Sequence, residues 1–384
     1  MKKILFITHT ISSGGGAEKV LNTLIDELSS DYQIDVLEWL EDVVCPFWER
    51  EKNVRHIGSI AYSDRKAAQL GKSIRINKIK HVFLALINIF FPRFLYKRHI
   101  DKQYDYEISF NYLYTSALVA HSPNKISKKI MWIHGAIDDL NSTCNLFDIK
   151  YRLYKWLQHN SFLKGNAVIA ISKKTHESIV MFEPKIENRI VDIYNGYNFN
   201  EIIQKSQTEY INKGKKFRLI SLGRLSSVKN VRLQLEAMKL LKVNNIEVEL
   251  FVLGEGEQEQ EIKKYADCNP NVKLIGFKNN PYPYLASSDA LIITSFSEGF
   301  PTIAVEAMAL GMPVISTPVA GTEELITDDT GYIVEWDAES VAEGIKKVMI
   351  TSYDSNVIKQ HVSRYTKEKW AENIKSLFNK LDNE

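Results

Sequence analysis

The sequence predicts an α/β protein made of two doubly wound parallel sheets, and three observations predict it. Short apolar runs alternate with segments of helical periodicity along most of the chain, the pattern of repeated βα units. The alternation is interrupted by a polar stretch from Asn198 to Lys216 that offers few apolar anchors. The chain is also long, and 384 residues with 45% hydrophobic content favour two cores over one. The expected domains are 1–197 and 198–384, with the linker in the polar stretch and the terminal segment 366–384 an amphipathic helix.

In chain order, Ile4 to Ile7 reads as the first strand, and Gly14, Gly15 and Gly16 then lead into a helix with Val20, Leu21, Leu24, Ile25 and Leu28 at helical spacing. Strand, glycine-rich turn and helix N-terminus form a layout that accepts phosphate, although a merely tight turn reads the same way. The run has neither the G-x-G-x-x-G dinucleotide pattern nor the Lys-Ser/Thr ending of a nucleoside-triphosphate loop. Tyr106 to Phe110, Ile130 to Ile133 and Ala167 to Ile171 read as further strands of the first sheet. His134 follows one of them directly, at a strand end where open parallel sheets bind ligands, and a structural histidine is the competing reading.

Beyond the polar stretch the expected order is a strand at Phe217 to Ser221, a helix at Val231 to Leu241, a strand at Glu247 to Leu253, a helix at Glu257 to Tyr265, a strand at Val272 to Ile275 and a short helix at Tyr282 to Ala286. Then comes ALIITSFSEGFPTIAVEAMALGMPVIST, residues 290–317. A strand stops at Thr294, Pro301 opens a helix, Gly311 closes it, and Pro313 precedes the next strand. Lys367 to Leu381 carries Trp370, Ile374, Leu377 and Phe378 on one helical face.

Composition limits the partners. A net charge of +2 gives no global reason to expect nucleic acid. Cys45, Cys144 and Cys268 are far apart and form no CxxC pair, which argues against disulfide frameworks and metal centres and fits a reducing cytoplasm. The apolar run at the N-terminus is too short for a signal-peptide core. One segment is unusual: between Arg65 and Lys102 the only acid is Asp101, while Lys72, Arg75, Lys78, Lys80, Arg93, Lys97 and Arg98 flank HVFLALINIFFPRFLY. That apolar run is shorter than the ~20 residues of a spanning helix. It suits a helix lying on an anionic membrane surface, or else a buried helix with a solvated basic flank.

The chemistry gathers in the second half. Gly223 and Arg224, with Lys229 close behind, sit past a strand end, so two cations can meet one dianion. Gly254-Glu255-Gly256 and Gly276-Phe277 end two further strands. The SFSEGFPT loop offers helix N-terminal N–H groups near Thr302, and Glu298 and Glu306 offer acceptors for hydroxyl groups. A nucleotide sugar, with its diphosphate between two hydroxyl-rich ends, meets all of these demands.

On these residues the chain resembles the retaining glycosyltransferases of family 4, which have the two-domain, glycogen-phosphorylase-like GT-B fold with two Rossmann-like domains facing across a cleft. The most specific likeness is the Glu-x7-Glu signature from Glu298 to Glu306, supported by Gly223-Arg224 with Lys229, by Gly254-Glu255-Gly256 and by the GGGAE run from Gly14 to Glu18. The resemblance implies that Arg224 and Lys229 bind the donor diphosphate, Glu306 the ribose, and Glu298 with the backbone of Gly299, Phe300 and Pro301 the donor sugar. It further implies that Gly15 and Gly16 serve the phosphate and acceptor, that Gly276 and Phe277 hold the base, that His134 lies near the reacting sugar carbon, and that the final helix crosses back to the first domain. The implied donor is a nucleoside-diphosphate sugar, UDP-linked on family grounds, used without metal or further cofactor. The implied acceptor is a glycan or lipid-linked glycan. An NDP-sugar 2-epimerase and a catalytically silent sugar-nucleotide sensor share the architecture. A nicotinamide dehydrogenase is disfavoured by the missing fingerprint.

Overall fold

The computed structural model describes residues 1–12, 16–42, 53–137 and 148–384. The chain divides into two compact units, Met1–Gly196 together with Lys367–Glu384, and Tyr197–Thr366.

In the first unit seven strands form one parallel sheet: β1 (Lys2–Thr8), β2 (Tyr32–Glu41), β3 (Val54–Tyr62), β4 (Tyr106–Ser109), β5 (Lys128–Ile133), β6 (Ala167–Ala170) and β7 (Ile190–Asp192). Their spatial order is β3-β2-β1-β4-β5-β6-β7. The second unit has six parallel strands: β8 (Phe217–Leu222), β9 (Val248–Leu253), β10 (Val272–Gly276), β11 (Ala290–Ile293), β12 (Val314–Ser316) and β13 (Gly331–Ile333), in the order β10-β9-β8-β11-β12-β13. Both sheets are covered by helices, so their central strands carry continuous buried apolar runs such as Ile4 to Ile7 and Ala290 to Ile293. In each sheet the order reverses once, between β1 and β4 and between β8 and β11. A doubly wound fold opens its ligand crevice at that reversal, beyond the carboxyl ends of the strands.

β2 and β3 fall in a region where the apolar pattern is broken by charge. Asp35 and Glu38 point into protein and are tolerated because each is paired. Asp35 accepts from Arg55 at 2.8 and 3.1 Å and from the Tyr104 hydroxyl at 2.7 Å.

The terminal helix, Lys367–Asn383, belongs to the first unit. It buries Trp370, Ile374, Leu377 and Phe378. Trp370 meets the edge of Trp132 at 5.7 Å, and Phe378 stacks on Tyr106 at 4.0 Å. Lys367 and Lys375 tie its outer side to Glu27 and Asp31, each at 2.5 Å. Gly196 lies so close beneath it that an added Cβ would stand 2.6 Å from the Trp370 Cβ.

The polar stretch from Asn198 to Lys216 begins with a helix. Phe199–Ser206 is a helix, capped by the Asn198 side chain, that packs on the helices Tyr282–Ala286 and Thr302–Ala309. It buries Ile202 alone, so it lacks the apolar periodicity by which a helix is read in sequence. The division between units falls before it, at Gly196 and Tyr197.

In the second unit the loops after β8, β9 and β10 are laced together by backbone. Gly223 N–H donates to Leu253 O at 3.1 Å, Gly254 N–H to Gly276 O at 3.0 Å, Leu225 N–H to Glu255 O at 2.9 Å and Gln258 N–H to Leu225 O at 3.0 Å. Gly254 has φ +137°, and a Cβ there would fall 1.9 Å from the Gly223 carbonyl oxygen; at Gly256 it would fall 2.5 Å from that of Leu225. Backbone cannot yield as a flexible side chain would. Gly254→Ala is therefore expected to destabilise the second unit by about 1–3 kcal/mol through combined strain and overpacking, seen as a lower Tm in calorimetry. An unchanged Tm would show that this loop contact is not a constraint on the fold.

Candidate active site

The reversal of strand order in the second unit places the β8 and β11 loops side by side. After β8 the chain turns through Gly223, Arg224 and Leu225 into a short 3-10 turn, Ser227–Lys229, which Asn230 ends in the left-handed conformation with φ +48°. The helix Val231–Val243 starts immediately afterwards. After β11 the chain runs through Thr294, Ser295 and Glu298 to the helix Thr302–Ala309.

Hydrogen bonds join the two loops. Phe296 N–H donates to Val228 O at 2.9 Å, and the Thr294 hydroxyl donates to Asn230 O at 2.9 Å while accepting from Gln234 Nε2 at 2.9 Å. The Ser295 carbonyl is held by the Trp336 indole N–H at 3.0 Å and the Thr317 hydroxyl at 2.8 Å.

Within this frame Lys229 Nζ stands 2.5 Å from Glu298 Oε1, and the Ser295 hydroxyl donates to the same oxygen at 2.7 Å. Gly223, Arg224, Lys229, Ser295 and Glu298 line one crevice. The Glu298 side chain is mostly enclosed and Lys229 is one-third exposed, so their attraction is screened only in part. Arg224 is exposed and makes no ion pair among the described residues. The crevice thus presents one free guanidinium and one ammonium already neutralised by a carboxylate.

The rest of the Glu-x7-Glu segment serves two purposes. Pro301 takes the cap position, one residue before the helix proper and not inside it as expected, with no side-chain cap on the first turn. Phe300 is buried, packed 5.5 Å from the Tyr365 ring and against Gly321, where a Cβ would fall 2.4 Å from Phe300. Its side chain therefore anchors the loop. Glu306 is buried in the helix. It neighbours Tyr197, whose phenol is raised well above its ordinary value by burial and then by the Glu306 charge. Gly276 has φ +79° and Phe277 is 61% exposed, at the end of β10.

The first unit carries the remaining expected residues. Gly14 and Gly15 lie outside the described residues, as do Cys45 and Cys144; Gly16 opens the helix Gly16–Leu28. Cys268 is an exposed free thiol. His134 follows β5, with its ring stacked on Trp132 at 5.8 Å and tilted against Phe110 at 4.1 Å. Its Nε2 is enclosed and has no hydrogen-bond partner among the described residues. Burial pushes its imidazole down to about 3, so it is neutral at any physiological pH.

Sequence reading missed Glu38. Its Oε2 accepts from Ile11 N–H and the Ser12 hydroxyl, both at 2.9 Å, and so holds the turn that precedes the glycine run. Asn111, after β4, does the same one step earlier, accepting from His9 N–H at 2.6 Å and from the Thr8 hydroxyl at 3.1 Å. An acid inside an apolar strand was the available signal for Glu38.

Residues 202–381 match the family model described as glycosyl transferases group 1. A curated relative, the N-acetylgalactosamine-N,N'-diacetylbacillosaminyl-diphospho-undecaprenol 4-alpha-N-acetylgalactosaminyltransferase of Campylobacter jejuni, is 26% identical over 91% of this chain and 90% of its own length. The capsular polysaccharide biosynthesis glycosyltransferase CapM of Staphylococcus aureus is 26% identical over 52% of this chain and 56% of its own. Among solved structures, Anabaena HepE in complex with UDP and glucose superposes with a TM-score of 0.72 at 16% identity, covering 99% of this chain and all of that one. The two units with their returning helix, the match to the group 1 family model over residues 202–381 and the relative that spans nearly the whole length converge: the chain is a glycosyltransferase of the GT-B fold.

Proposed function

We propose that the protein transfers a sugar, with retention at the anomeric carbon, from a UDP-linked donor bound in the second unit to a hydroxyl of a glycan or lipid-linked glycan, at the cytoplasmic face of a membrane. The observation that carries this reading is the meeting of Lys229 with Glu298 in one crevice with Arg224. The HepE complex, the undecaprenol-linked substrate in the Campylobacter enzyme's name and the capsular role in CapM's name support donor and acceptor classes by likeness.

The chemistry follows from charge. As the bond from the anomeric carbon to the donor phosphate breaks, negative charge grows on the diphosphate, and Arg224, Lys229 and the uncapped N–H groups at Thr302 stabilise it. Donor phosphate competes with Glu298 for the Lys229 ammonium. When Lys229 turns to phosphate, Glu298 is released to accept from sugar hydroxyls, so one exchange prepares both ends of the donor. Glu306 is assigned to the ribose and Gly276 with Phe277 to the base. Glycosidase-like double displacement would need two carboxylates at about 5–5.5 Å across the bond, and Glu298 is engaged by Lys229 and Ser295. Front-face substitution, in which a leaving phosphate oxygen takes the acceptor proton, asks less of the protein. His134, neutral and with Nε2 unsatisfied, is assigned to position sugar or acceptor and not to remove a proton.

Arg224→Ala and Lys229→Ala should each lower turnover by about 10²–10³, measured as donor consumption in a screen of UDP-, GDP- and ADP-sugars with NMR of the product anomer. Near-wild-type turnover in both would refute the diphosphate assignment, a preference for GDP would overturn the UDP donor, and epimerised donor without transfer would turn the reading to a 2-epimerase. Glu298→Gln should bind UDP more tightly than wild type in calorimetry while transferring sugar more slowly, because it frees Lys229 and removes an acceptor. Weaker UDP binding would show that the pair does not compete with phosphate. The pH profile of turnover should show no inflection from His134 between pH 5 and 8. Protonation of its imidazole is confined to far lower pH, and the same profile at reduced height is expected for His134→Gln. An inflection near the ordinary histidine value that disappears in that variant would reinstate His134 as a base.

A further inference from the structure

The segment between Arg65 and Lys102 is neither buried nor a single helix. Ile74–Phe90 and Pro92–His99 are two helices whose axes turn through 111° at Phe91. The longer one differs from an ordinary surface helix. Its inner face combines Leu84, Ile87 and Ile89, packed on the core, with polar anchors. Asn77 Nδ2 donates to Tyr62 O and Asp64 Oδ1, both at 3.0 Å, His81 Nε2 stands 2.6 Å from Tyr62 O, and Asn88 Nδ2 donates to Tyr114 O at 3.1 Å. Its outer face is apolar. Ile76, Ile79, Phe83, Leu86 and Phe90 recur at spacings of three and four, one stripe along the helix, and are 68%, 64%, 63%, 44% and 56% exposed. Phe91 and Phe94, at 65% and 61%, carry the apolar surface across the bend.

Charge decides what this face meets. At 100° per residue Arg75 and Lys80 fall on opposite sides of the stripe, and Arg93, Lys97 and Arg98 stand exposed on the second helix. No Asp or Glu occurs between Arg65 and Asp101. A second copy of the chain would bring like charges together across the stripe. The helix is too short to span a bilayer, and its amides are engaged with Tyr62 and Tyr114.

We propose that this bent helix pair docks the first unit on an anionic lipid surface, with Phe83, Phe90, Phe91 and Phe94 entering the interface and the flanking Lys and Arg side chains on the headgroups. The proposal deepens, and rests on, the reading of a membrane-linked acceptor, yet its test requires neither donor nor acceptor. The full chain is floated with vesicles of phosphatidylcholine, with and without phosphatidylglycerol, over a range of salt. Wild type should bind only the anionic vesicles and release them as salt rises. Phe83→Ser/Phe94→Ser and Arg75→Ser/Lys80→Ser should each reduce partitioning by about tenfold or more, with Tm and donor hydrolysis unchanged because all four side chains are exposed. Absence of binding, equal binding to neutral vesicles, or a dimer in solution that Phe83→Ser dissolves would each overturn the proposal. Vesicle binding by a chain that transfers no sugar would leave the docking standing and remove the transferase reading; transfer to a soluble acceptor without vesicle binding would do the reverse.

Discussion

The second unit depends on backbone meeting backbone. At Gly254 and Gly256 the β9 loop comes so near the β8 loop that no side chain fits between them. The hydrogen bonds from Gly223, Leu225, Gly254 and Gln258 then make three separate loops one rigid wall. Arg224 and Lys229 leave that wall from fixed starting points. Their positions owe little to long-range side-chain packing, which is why a surface as polar as this can still be preorganised.

The opposite side of the crevice is held differently. Ser295 is fixed through its carbonyl by Trp336 and Thr317, and Phe300 is sunk into the body of the unit beside Gly321 and Tyr365. The loop between them can then offer Glu298 and the backbone before Thr302 without being mobile at either end. A self-neutralised resting arrangement suits the proposed dianion site, because Lys229 and Glu298 each cover a charge that would otherwise be costly to hold in a partly enclosed crevice.

Much of the fold was legible from period alone. The core of β1, Ile4 to Ile7, and the whole of β11 are unbroken apolar runs, β8 and β9 are mostly apolar around the buried pair of Arg218 with Glu249, and Gly311 ends its helix in the left-handed conformation, φ +82°, as its place before Pro313 suggests. What stayed illegible has physical causes. β2 carries Asp35 and Glu38 whose partners, Arg55, Tyr104 and the Ile11 to Ser12 turn, are distant in sequence. The helix Phe199–Ser206 buries one residue and therefore shows no apolar period. The helix Ile74–Phe90 has the right period, but period reports only that two faces differ and not which one is inside. There the inner side mixes Asn77, His81 and Asn88 with Leu84, Ile87 and Ile89, while an equally apolar stripe faces outward. In the site, residue types could be read, whereas the pairing of Lys229 with Glu298 could not, since it arises only when the strand order reverses between β8 and β11.

The returning helix has a consequence for how the chain is made. Trp370 and Phe378 fill the core of the first unit against Trp132 and Tyr106, yet they are synthesised after every residue of the second. While the ribosome is still translating, the N-terminal sheet exposes the apolar surface that these rings will cover. The second unit, continuous in sequence, can close first. This reverses the usual N-to-C order of domain completion and leaves the sheet of the first unit partly uncovered until the helix Lys367–Asn383 has been made.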